Sequence, residues 1–525
     1  MKLPIDIPQE SIVEAKRFLQ AAQTAYERSS QDAKHLSAVA HAQVRVGRAL
    51  LRAGEALQAM PYLRDAVSNY AIPDIRSMEA FDILCLADAR SVLGDGYRFR
   101  GDYLNAAREY GRALSELNVI PERVSTMSLR AVIKEKIGDA AVGEEAWDKA
   151  AAAYDSARDI LKNLLAQDRS DVWQRGLAII LDKQGMLHQS REKWESAETC
   201  FLEARRIRRQ LAEQPNATDD VVCDLIISQQ RLGDLHFARE NDEHALFAYA
   251  AADLFLETHL KNPKTEAVLR LQATIAEHKS QALLRQRQTD LAAKVLAEAM
   301  EIRERLYEES KTEIALANLA KTRGRLGDIF RDQERWRESL EVYQQAGDDL
   351  RSLAIRDWAD PLRQANWAAS SLRVADAARK CGDCGTALKS YRQAASIRER
   401  LVRRDPTILA RRRDLAVVQE RTASLLKAMH RRDAAMNLLR AGIENIQDAL
   451  KHHPKHPKLQ RDLVILCHQL YELASTMDDT STTFLWRMRT RNELSSLMDL
   501  GVEVDDVLTI IQTKLAEPMV VTRDL

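Results

Sequence analysis

Large apolar and small residues recur along this chain at helical spacing, and the whole arrangement then repeats at long intervals. A large residue falls at Leu63, Tyr110, Tyr154, Phe201, Tyr249, Leu296, Tyr343, Tyr391 and Leu438, and an alanine stands three residues after each. Four residues before each lies a small one, Ala59 and Ala106 in the first two cases and Ser339 in the seventh. Steps of four and three put all three positions on one face of a helix. Twelve residues upstream of that small residue a second small position recurs, as Gly47, Gly94, Gly138, Gly185, Gly233, Ser280, Gly327, Ala375 and Thr422. Successive large residues are 47, 44, 47, 48, 47, 47, 48 and 47 apart, so the pattern predicts a pair of helices repeated nine times.

A glycine inside a helix costs roughly 1 kcal/mol relative to alanine. Its recurrence at one register implies a compensating gain, the close approach of the second helix to the first. A short turn separates the two, as Gly101-Asp102 and Gly382-Asp383, with Gly54-Glu55 and Glu334-Arg335 as variants. The aromatics just past it, Tyr103, Trp147, Trp194 and Trp336, are expected to pack the hairpin. Lys279 before Ser280, Arg421 before Thr422 and Gln184 before Gly185 break the usual apolar-then-small step, so packing is expected to be looser there. The 44-residue interval around Pro121 predicts a local change in the path of the stack.

Composition agrees with an all-helical chain. Over 525 residues there are only 18 glycines and 12 prolines, and Ala, Leu, Arg, Glu and Gln dominate. The 78 basic and 78 acidic residues cancel, which leaves no global field for nucleic acid or an anionic membrane. The N-terminal stretch lacks the apolar core of a signal peptide, and no run approaches membrane-spanning length. With six scattered cysteines, a cytoplasmic location with reduced thiols is expected.

The positions Leu326-Gly327, Phe330, Trp336, Ser339, Tyr343 and Ala346, matched by Leu93-Gly94, Tyr97, Tyr103, Ala106, Tyr110 and Ala113, resemble the tetratricopeptide repeat family over roughly residues 35–455. The family repeat is 34 residues, and here both helices are expected to be longer. The resemblance implies a right-handed α-solenoid of about nine antiparallel hairpins with capping helices at both ends. The expected organisation is an N-terminal capping helix within 1–30, the array over 31–456, and C-terminal capping helices with a polar tail over 457–525. The stretch LQRDLVILCHQLYELAS is expected to be an unpaired first helix, followed by two short helices near 482–499 and 503–515.

Several clusters invite chemistry and are better explained by register. Cys381 and Cys384 form a C-x-x-C, but no second ligand pair accompanies them and they fall in a hairpin turn. His452, His453 and His456 fall where other repeats have a polar connection. The arginines from Arg398 to Arg413 are interrupted by Glu399 and Asp405 and suit helix C-termini. Phosphate-cradling, zinc-protease and serine-hydrolase patterns are lacking, so neither catalysis nor a cofactor nor a metal is expected. The residue after the small position of the first helix is Asp95, Asp139, Asp234, Asp328 or Asp376 in five repeats, and Arg98, Arg331 and Arg379 stand three residues further on. Three-residue spacing allows an intrahelical ion pair worth a few tenths of a kcal/mol. In the resembling family this register faces the concave surface, which implies a ladder of acid and base able to read a protein or peptide partner. The expected function is a protein-binding scaffold or adaptor. The alternative is a regulatory or sensor subunit of a separately encoded signalling enzyme, a caspase-like protease, a kinase or a nucleotide-dependent ATPase. Self-association is left open.

Overall fold

The helical pairs expected from the pattern are formed. The computed structural model describes residues 11–29, 33–72, 78–215, 217–258, 260, 265–477, 479–502 and 505–517, among which there are helices and connections and no strand. Residues 8–10 of the expected N-terminal cap and the tail from 518 lie outside them. First helices are α2 (Ala33–Arg52), α4 (Ala80–Phe99), α6 (Val124–Gly143), α8 (Asp171–Ser190), α10 (Asp219–Ala238), α12 (Glu266–Arg285), α14 (Glu313–Asp332), α16 (Pro361–Lys380) and α18 (Leu409–Ala428). The second helices are α3 (Ala56–Tyr70), α5 (Tyr103–Leu117), α7 (Trp147–Gln167), α9 (Trp194–Ala212), α11 (Asp242–Thr258), α13 (Thr289–Ser310), α15 (Trp336–Arg356), α17 (Cys384–Arg404) and α19 (Arg432–His452). Helix α1 (Ile12–Arg28) precedes them; α20 (Pro457–Ser475), α21 (Thr480–Asp499) and α22 (Asp506–Ala516) follow. The chain divides into two compact units, Met1–Asn318 and Leu319–Leu525, and the division falls inside α14.

What each small residue makes room for is specific. A Cβ added at Gly185 would stand 2.5 Å from Cε1 of Phe201, and one at Gly233 or Gly327 equally close to the ring of Tyr249 or Tyr343. The glycine therefore seats the large residue sixteen positions later in its own hairpin, and those rings are among the largest fully buried side chains. Such close packing recovers the helix-propensity cost through dispersion contacts and burial. Where serine or alanine replaces the glycine, the fit holds: Ser280 and Ala375 are buried, and the Ser280 hydroxyl donates to the Ala292 carbonyl at 2.9 Å; in the ninth hairpin the register lies one residue later than expected, with Ala423, Ala435 and Leu439 buried and Leu438 only partly so. At the positions where looser packing is expected, Ser280 and Thr422 each bury a hydroxyl that donates to a carbonyl, Thr422 to Val418 at 2.6 Å, and the Gln184 amide donates to the Asp155 carboxylate at 2.8 Å.

All nine hairpin turns use one backbone device. A residue in the left-handed region sits at Gly54, Gly101, Glu145, Glu192, Glu240, Arg287, Glu334, Gly382 and His430. The following amide then reaches back five residues, as Lys193 to the His188 carbonyl at 2.9 Å and Asp383 to Ala378 at 2.9 Å. This satisfies the carbonyls that a helix end leaves orphaned. Only three of the nine are glycines. The aromatics past the turn open the second helices as expected, and Tyr103 lies against Gly143 of the next first helix. The contraction near Pro121 is taken up by the connection: α5 has 15 residues, as α3 does, but residues 118–123 join it to α6 where residues 71–79 join α3 to α4, and α6 keeps 20 residues.

The ends differ in how they close. Helix α1 carries a capping box of Ser11 and Glu14 and buries Ala15 and Leu19 on the first hairpin. Helix α20 is not unpaired as expected: it packs along α21 as a tenth hairpin without the repeat signature. Its Val464 meets Leu494 and Leu497 of α21 and Leu508, Ile511 and Leu515 of α22. Phe484 and Leu485 of α21 remain exposed.

Candidate functional site

Contacts between helices two apart in the chain run from first helix to first helix. In the first unit α2 touches α4, α4 touches α6, α8 touches α10 and α10 touches α12. Within that unit the first helices thus share one face, and the expected positions Asp95, Arg98 and Asp139 line a groove on it. Within the first unit a groove of about 390 Å³ is lined by Arg48, Leu51 and Arg52 of α2, Val92, Asp95, Arg98 and Phe99 of α4, Glu135, Lys136 and Asp139 of α6, and Lys183 of α8.

Each aspartate of the ladder accepts a hydrogen bond from the tyrosine hydroxyl of its own hairpin: Asp95 from Tyr110 at 2.8 Å, Asp139 from Tyr154 at 2.9 Å, and Asp234 from Tyr249 at 2.8 Å. In the second unit Asp328 accepts from Tyr343 and Asp376 from Tyr391, both at 2.6 Å. The tyrosine rings are buried, and burial followed by the neighbouring carboxylate pushes the Tyr110, Tyr154 and Tyr249 phenols far above their ordinary value, so each hydroxyl stays a neutral donor. The two positions travel together in the sequence. All five repeats with tyrosine have aspartate, and the four without it carry Arg48, Met186, Gln281 and Ala423 instead. The aspartates are thus first of all the acceptors that let a tyrosine be buried.

A second partner comes from the next first helix. Lys136 reaches Asp95 at 2.6 Å, Lys183 reaches Asp139 at 2.7 Å and His278 reaches Asp234 at 2.5 Å. In the second unit Arg373 stands 3.3 Å from Asp328, and Arg421 bonds Asp376. These bases lie one or two residues before the small position of their own helix. Sequence reading missed them because the residue type changes from repeat to repeat and the partner is more than 40 positions away.

The three arginines expected to pair within their helix divide. Arg331 bonds Asp328 at 3.0 Å. Arg98 and Arg379 form no such ion pair and lie instead near the tyrosines that those aspartates hold, Tyr110 and Tyr391. Elsewhere, Cys381 closes α16 at the surface and Cys384 opens α17, and among the described residues no group of three or more His, Cys, Asp and Glu is placed to hold a metal. Cys85 and Cys467 are buried, which pushes each thiol up to about 12. His456 caps α20. Arg398 pairs with Asp414, Arg413 with Asp462 at 2.5 Å and Arg412 with Asp448 at 3.3 Å, so much of the arginine cluster is used within the stack. No described helix is long and apolar enough to cross a membrane.

No family model matches this chain, and no curated protein matches it. Among solved structures it is similar to BtubC from P. vanneervenii, with 18% identity over 50% of this chain and 96% of that one and a TM-score of 0.38. It is also similar to a Rap protein complexed with competence and sporulation factor, with 13% identity over 75% and 98% and a TM-score of 0.43. A third is the apo quorum sensor NprR from B. thuringiensis, at 11% over 74% and 97% with a TM-score of 0.40. At such identities and scores the likeness extends to stacked helices and no further.

Proposed function

We propose that this chain is a non-enzymatic protein-binding scaffold or adaptor that holds a peptide, helix or domain of a partner on the face built by its first helices. The observation that carries the reading is the inner groove of the first unit, whose polar lining is fixed in place before anything binds. Asp95 and Asp139 are each held by a buried tyrosine hydroxyl and by a lysine of the next repeat. A surface whose rotamers are already set loses less entropy on association. The packing positions of the repeat are filled by side chains committed to the core, which leaves the inner face as the variable surface.

The test is site-specific photo-cross-linking in extract from the native cells. A photoreactive phenylalanine analogue replaces Phe99, exposed at the lip of the groove, and in a parallel protein replaces Leu202, exposed on α9. A discrete protein adduct from position 99 and none from 202 is expected. Equal labelling at both, or none at 99, would count against the inner face as the binding surface.

A further inference from the structure

Each second helix turns one side to its own hairpin and the other to solvent. Counted from the large buried residue, outward positions lie two before it and one and five after it. Those positions carry charge in most second helices, as Arg206 in α9, Lys294 and Glu301 in α13, and Glu341 and Asp348 in α15. In α11 they are Phe247, Ala250 and Leu254. Phe247 is 77% exposed, the most of any large apolar side chain among the described residues, and Leu254 is 59% exposed. An apolar face left on water in this way marks a contact surface.

The charges around this face select its occupant. His244 and Glu257 are exposed at equal distances on either side of the Ala250–Ala251 pair. On α13, Lys294 and Glu301 are exposed at equal distances from the same register point, and among the described residues neither they nor Glu257 form an ion pair. We propose that a second copy of this chain packs its α11 on this one, antiparallel, about a two-fold axis passing between Ala250 and Ala251. The alanines let the helices approach closely at the crossing, and Phe247 of each copy lies beside Leu254 of the other. The same rotation brings Lys294 against Glu301 of the second copy, twice by symmetry, and sets Glu257 beside His244. Parallel pairing would set Glu257 against its own twin, like charge on like. A face complementary to itself under one rotation is what an isologous interface requires. It lies apart from the groove of the first helices, so the inference goes beyond the scaffold reading. Two paired copies present two grooves, and a partner with two matching segments gains avidity without any new contact.

Sedimentation equilibrium of the full chain tests this. Between about 1 and 100 μM the wild type is expected to shift from one chain to two, the range suited to an interface of one helix pair and its flanks. Phe247→Asp and Leu254→Asp should each raise the dissociation constant at least about tenfold, while circular dichroism shows both still folded, since neither side chain is buried. Lys294→Glu should weaken pairing by setting two acids face to face, and adding Glu301→Lys should restore it, because the exchanged charges again oppose each other across the axis. A chain that stays single throughout the range, or pairing untouched by Leu254→Asp, overturns the inference. A double exchange that fails to recover what Lys294→Glu loses overturns the antiparallel assignment. Cross-linking at positions 99 and 202 is done below that range, where the chain is single, so the scaffold reading and this one stand or fall separately.

Discussion

An aspartate and a tyrosine fifteen residues apart occur together in this chain or not at all, and the pair shows how a single side chain can be both core and surface. The ring fills the space that a small residue opens, and the hydroxyl holds an acid on the face that the first helices share. The glycine half of this device tests directly. Gly185→Ala should destabilise by about 1–3 kcal/mol, because the added methyl overpacks the Phe201 ring, and this outweighs a propensity gain of about 1 kcal/mol. Gly111→Ala, in the middle of α5 with no atom within 4 Å of the new methyl, should stabilise by about 1 kcal/mol. Denaturant unfolding of the two variants should move in opposite directions; shifts of the same sign would mean that propensity alone decides. Glycine and large residue were legible in the sequence through their spacing. So was the coupling of aspartate to tyrosine, had the two columns been compared. Of the left-handed turn residues, Gly54, Gly101, Gly382 and Glu334 were legible through register, whereas Glu145, Glu192, Glu240, Arg287 and His430 were not, since they carry no turn signal of their own; the two helices impose the conformation.

Pairs of helices are held further from the turn by polar contacts at a constant spacing of 26 residues. They join Gln43 to Asn69 at 2.9 Å, Asp182 to Arg208 at 2.6 Å, Glu277 to Arg303 at 3.0 Å, Arg323 to Asp349 at 2.6 Å and Gln419 to Asn445 at 3.0 Å, and Arg90 to Glu116. Acid and base change helices between repeats, so no column of conserved character appears and only the structure shows the register. The Asp182–Arg208 pair is nearly inaccessible, with side chains 9% and 4% exposed. Burial pushes the Asp182 carboxyl up, against the pull of Arg208. Removing one member leaves a buried charge alone, so Asp182→Leu should cost about 3–5 kcal/mol. Adding Arg208→Met should restore most of it, since a buried ion pair and an apolar pair of similar volume are often nearly equivalent. Urea unfolding of the single and double variants checks this; a double variant as unstable as the single would show that the pair itself supplies the stability.

At the scale of the whole chain, repeats were legible because each contributes the same few positions, whereas α21 was not seen as the partner of α20 because it repeats nothing. It nevertheless does a cap's work. A chain ending at Thr476 would uncover Val464, which packs on α21 and α22, at roughly 1.5–3 kcal/mol for a large side chain left exposed. Hydrogen exchange should then show α20 losing protection while α2 to α12 keep theirs, since neighbours alone support each repeat; unchanged protection of α20 would mean that α21 and α22 are dispensable. The polar pairs at 26-residue spacing bear on a hazard that every such array faces. Nine near-copies of one apolar interface invite a first helix to dock on the second helix of the wrong copy. A first helix carrying Arg90 would meet Arg208 or Arg303 in such a mispairing, and one carrying Asp182 would meet Glu116 or Asp349. Like charges would then be brought together out of water. Six of the hairpins thus carry one of three kinds of key, Gln with Asn, acid with Arg or Arg with acid, and the variation that hides the register from the reader of the sequence penalises docking between hairpins of opposite charge order.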